Sequence, residues 1–192
     1  MCLSILLNTN MTFEESIAKF NLGELPITQL PKIALNAVMS GLESESLIIL
    51  AGMNENDNSL EIQQYLDNVI KELGLKSYHS IDAAFILANS YINSFKKGEI
   101  NISQCIYNIK NECWDNCRDQ IDSIEYLYDG IQFHEIIGPW YEYDEIDEHT
   151  DWVKKSNKSI SQIRKDFEKE LSSLISIWQE EFLSTKLTKL YS

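Results

Sequence analysis

Apolar residues return every three or four positions along most of this chain, the spacing that places them on one face of an α-helix. Thr12-Phe13-Glu14-Glu15 has the capping-box pattern, in which a Thr hydroxyl and a Glu carboxylate satisfy free amides at a helix start. It opens a short helix to Phe20. A second helix begins near Thr28 or Leu30 with Pro31 in its first turn, carries Ile33, Ala34, Ala37 and Val38 on one face, and ends at Gly41. From Ser59 to Leu73, Ile62, Leu66, Val69, Ile70 and Leu73 recur at helical spacing, with Gly74 as the stop. From Ser80 to Phe95, Ile81, Ala84, Phe85, Ala88, Ile92 and Phe95 do the same, and Lys96 and Lys97 suit the negative end of that helix.

Two stretches are less plain. Ser44 to Gly52 holds a short apolar run between turn residues, which suits a buried strand or a buried helix. We assign a helix, because Ser44 caps it, Gly52 stops it and no second strand candidate exists to pair with it. A strand opening a nucleotide-binding loop needs a glycine-rich turn, and Gly52-Met53-Asn54-Glu55 supplies one glycine. Further on, Ile102, Cys105, Ile106, Ile109, Cys113 and Cys117 form another stripe, followed by a short helix from Ile121 to Tyr128 that Asp129-Gly130 terminates.

Residues 131–157 break the helical pattern. Gly138-Pro139 signals a turn, aromatics gather at Trp140, Tyr141, Tyr143 and Trp152, and acids fill the gaps, so an irregular acidic and aromatic loop is expected. Ile160, Ile163, Phe167, Leu171, Leu174, Trp178 and Phe182 then repeat regularly and predict one long closing helix. The fold class expected is all-α, with several helices in a single domain over residues 1–192.

Charge sharpens this picture. The net charge is −14, and residues 119–153 carry 11 acidic residues and no Lys or Arg, whereas residues 154–192 carry 8 basic and 5 acidic. An acidic surface repels a phosphate backbone, so nucleic acid is not an expected partner. A basic protein would be attracted and steered. The apolar run Met1 to Leu7 has no basic start and stops at Asn8, which matches neither a signal peptide nor a membrane span, and a cytoplasmic location without membrane contact is expected.

The stretch Leu30 to Gly52, followed by Glu72-Leu73-Gly74-Leu75 and then by Lys97-Gly98-Glu99-Ile100, resembles a group of small bacterial proteins. In that group an A-L-x-x-G-x-x-S-x-x-L-x-x-L-A-G module precedes two helices and a G-E-I turn. The matching positions are Gly41, Ser44, Leu47, Leu50, Ala51 and Gly52, and the likeness extends over roughly residues 26–110. The resemblance implies a bacterial, helical, cytosolic protein and brings no catalytic residue with it.

Chemistry-bearing clusters are few. Cys105, Cys113 and Cys117 with His134 have the ligand types for zinc, but not the tight CxxC turn that aims two sulfurs at one metal, and all three cysteines lie on an apolar stripe. These three are expected to be core thiols, and all four cysteines, Cys2 included, to be reduced rather than disulfide-bonded. A Cys–His nucleophile needs an exposed, acidified thiol, and no local motif pairs any cysteine with His79, His134 or His149. The acids from Glu142 to Asp151 with His149 offer hard oxygen ligands, yet lack the glycine at the centre of a calcium loop.

No catalytic residue and no cofactor is therefore expected. The candidate binding surface is Trp140, Tyr141, Glu142, Tyr143, Asp144, Glu145, Asp147, Glu148, Asp151 and Trp152, where aromatic anchors interleave with steering charges. The function expected is a protein-binding module, concretely an immunity or antitoxin-like inhibitor of a basic bacterial protein. The alternative is a metal-dependent hydrolase, or another small enzyme, built on the acids of residues 142–151.

Overall fold

The computed structural model describes residues 11–75, 78–120, 128, 131–146 and 158–191. Among them every regular element is helical and no strand occurs, as the three-and-four spacing predicts. The chain divides into two compact units, Met1–His79 and Ser80–Ser192.

The first unit holds α1 (Phe13–Asn21), α2 (Leu30–Met39), α3 (Glu45–Gly52) and α4 (Ser59–Glu72). The Thr12 capping box forms in full: Glu15 N–H donates to the Thr12 hydroxyl, and Thr12 N–H donates to the Glu15 carboxylate. Pro31 sits in the first turn of α2, where its missing N–H costs no hydrogen bond. Gly41 ends that helix with φ +96°, a left-handed conformation that favours glycine.

The segment 44–52 is a helix, as its cap and stop predict. Leu47 N–H donates to the Ser44 hydroxyl at 3.1 Å. Leu47 and Leu50 of α3 join Leu30, Ile33 and Ala34 of α2 and Ile62, Leu66 and Val69 of α4 in one apolar core. Leu35, Met39, Ile48 and Ile49 point outward from α2 and α3. Tyr78 closes the unit by donating its hydroxyl to Glu14, while its carbonyl accepts from the Asn21 amide at 3.4 Å.

The second unit holds α5 (Ser80–Lys96), α6 (Ile102–Asn108), α7 (His134–Asp144), α8 (Ile160–Trp178) and α9 (Ser184–Tyr191). Two wide π-turns interrupt these helices. Ile109–Trp114 continues α6 and passes into a 3₁₀ segment, Asp115–Gln120, whereas Gln179–Leu183 joins α8 to α9. Each π-turn inserts one extra residue into the helical register. Consequently neighbouring residues both face inward: Cys113 with Trp114, and Phe182 with Leu183.

Trp114 is fully buried at the centre of an aromatic core. Its ring lies 5.4 Å from Phe85, 6.1 Å from Trp178 and 6.4 Å from Phe133 in edge-on arrangements. Such edge-to-face contacts match the positive rim of one ring to the negative face of another. The Trp178 indole N–H donates to the Ile131 carbonyl at 2.8 Å, which ties α8 to the segment entering α7.

Residues 134–144 depart from the expected irregular loop. They form α7 even though Gly138 and Pro139 lie inside it. Proline removes a helical hydrogen bond and glycine adds backbone freedom, so local propensity opposes this helix. Burial of Ile136, Ile137 and Trp140 along one face holds it instead. The short helix expected from Ile121 to Tyr128 lies outside the described residues apart from Tyr128, and the rest of the expected loop, residues 147–157, lies outside them entirely. No helix among the described residues is long and apolar enough to cross a membrane.

Candidate functional site

Helix α7 sorts the candidate surface residues by direction. Phe133 precedes the helix and is fully buried, its N–H donating to the Tyr128 carbonyl at 2.8 Å. Ile136, Ile137 and Trp140 follow at helical spacing, and Ile146 closes the buried side. Glu135, Tyr141, Glu142, Asp144 and Glu145 are exposed.

Trp140 is therefore part of the core. It is 5% exposed, and its indole N–H donates to the Ser103 hydroxyl at 3.2 Å, a bond between α7 and α6. Tyr141, at 42% exposure, is the aromatic that faces outward. Tyr143 is half-buried and belongs to the packing of α7 on α8: its hydroxyl donates to Glu168 Oε1 at 3.1 Å, and the Arg164 guanidinium lies 5.3 Å from its ring centre. Burial pushes the Tyr143 phenol upward, and the hydrogen bond to Glu168 adds to this because ionisation would set a phenolate against a carboxylate. Asp147, Glu148, Asp151 and Trp152 lie outside the described residues.

The acids also stand at one end of the helix. Glu142 and Asp144 fall in the last turn of α7 and Glu145 caps it, with no basic residue in that turn. Unpaired carbonyls make a helix C-terminus negative, so carboxylates there oppose the helix dipole where lysine or arginine would complement it. Their placement favours an approaching cation over the isolated helix.

The cysteines are positioned differently. Cys105, Cys113 and Cys117 are buried thiols rather than disulfides. Burial pushes the Cys105 thiol up to about 12. Burial, then the charge of Asp115, pushes Cys117 up to about 11, and its Sγ donates to the Cys113 carbonyl at 3.1 Å. Both are the reverse of an activated nucleophile, which needs a lowered thiol. His79 and His134 are exposed, and His149 lies outside the described residues. Among the described residues no three His, Cys, Asp or Glu side chains gather where they could hold a metal ion.

Two features had no clear signal in the spacing. Trp114 lies next to Cys113, outside the stripe that the spacing marks, and its buried indole N–H has no hydrogen-bond partner among the described residues. An open cleft in the second unit is lined by Asn89, Ser184, Leu187, Thr188 and Tyr191. Two of its hydroxyls donate within the chain, Ser184 to the Gln179 carbonyl and Thr188 to the Ser184 carbonyl. The Asn89 side-chain oxygen accepts from the Gln179 amide.

Comparison with protein-family models, with curated proteins and with solved structures finds no match.

Proposed function

We propose that this protein binds the basic surface of another protein, using the exposed face and C-terminal end of α7. The observation that carries the proposal is the pair of carboxylates Glu142 and Asp144 in the last turn of a helix, at its negative end, beside the outward-facing ring of Tyr141. A cationic partner relieves that unfavourable placement, and the tyrosine supplies apolar area at little entropic cost. In its concrete form this is an inhibitor of the immunity or antitoxin kind that masks a basic bacterial protein. Asp147, Glu148 and Asp151 extend the same run of negative charge in the sequence.

The test starts from a partner captured by the full-length protein from its source cell and identified by mass. The triple variant Glu142→Gln, Asp144→Asn and Glu145→Gln is then compared with the parent in association kinetics at low and moderate salt. Long-range attraction acts mainly on encounter, so association is expected to slow at least about tenfold at low salt and to lose most of its salt dependence, with dissociation changing less. An unchanged association rate at low salt overturns the proposal. Stoichiometric zinc or manganese in the purified protein would move the acids of residues 142–151 to metal-dependent hydrolysis instead.

A further inference from the structure

We draw no further inference here: the strongest candidate, the outward apolar face of α2 and α3 that carries Leu35, Met39, Ile48 and Ile49, has nothing in the structure to show what covers it.

Discussion

The carboxylate of Glu72 accepts two hydrogen bonds from Ser46, one from its backbone N–H at 3.0 Å and one from its hydroxyl at 2.5 Å. Glu72 is the last residue of α4, and Ser46 lies in the first turn of α3. A residue distant in sequence thus satisfies an amide that the start of α3 cannot satisfy internally, and it places negative charge at the positive end of that helix.

This pair has a pH signature. The Ser46 hydroxyl and then its N–H hold the Glu72 carboxyl below its ordinary value of 4.5. A carboxyl lowered in the folded state adds stability that is present above its unfolded value and is lost as pH falls through the folded one. Acid unfolding of the parent is therefore expected to steepen below pH 4.5, and Glu72→Gln is expected to remove that contribution while weakening the fold at neutral pH. Ser46→Ala in the Glu72→Gln background should add less loss than it does alone, as denaturant midpoints in a double-mutant cycle will report. Strictly additive losses would mean that the two groups do not interact.

The buried thiols set a second expectation. With Cys105 pushed up to about 12 and Cys117 to about 11, thiolate is scarce at pH 8, and burial blocks reagents as well. Titration with a thiol reagent is expected to leave Cys105, Cys113 and Cys117 unmodified in the native protein and to reveal them in denaturant. Cys113→Ser places a hydroxyl at a fully buried position and is expected to cost about 1–3 kcal/mol, measured by chemical unfolding. Rapid native modification of Cys113 would contradict its placement.

Two glycines with equal space around them beyond their chain neighbours should respond differently. A Cβ built at Gly138 or at Gly41 meets nothing within 4 Å, but only Gly41 has a positive φ. Gly138→Ala gains roughly 0.5–1 kcal/mol from reduced chain entropy but sets its new Cβ against the ring of Pro139 in a helical backbone, so it is expected to leave the stability of the second unit nearly unchanged. Gly41→Ala is expected to destabilise by about 1 kcal/mol or more, because an L side chain is strained there. Thermal melts of the two single variants check both outcomes.

Trp140 and Tyr141 separate folding from binding. Trp140→Ala empties a buried site and leaves the Ser103 hydroxyl without its indole donor, so a loss of roughly 3–5 kcal/mol of stability is expected. Tyr141→Ala is expected to leave the melting curve nearly unchanged and to speed dissociation of a captured partner. A folded Trp140→Ala variant with native stability would show that the ring does not belong to the core.

Local signals carried most of the fold. The Thr12 box and the Ser44 cap act within one helical turn, so the residues that form them are already neighbours in the chain. Both π-turns were hidden, because one extra residue in a helix still leaves an apolar pattern that fits spacings of three and four. Trp114 carries no periodic signal for that reason, since it follows Ile109 by five residues and shares its burial only in a wide turn. Gly138-Pro139 misdirected the reading of α7, where the packing of Ile136, Ile137 and Trp140 outweighs the propensity of two helix-breaking residues. The acids of the candidate surface were plain in the composition, but the inward turn of Trp140 depends on which neighbours stand beneath α7.

The π-turn at Gln179–Leu183 also bears on how this chain is extended or tagged. One inserted residue rotates everything beyond it by about 100° about the helix axis, a single step of an α-helix. A fluorophore, linker or fused helix attached after Tyr191 therefore takes its azimuth from α9, and extrapolating the stripe of α8 would aim it about a quarter of a turn away from where it emerges.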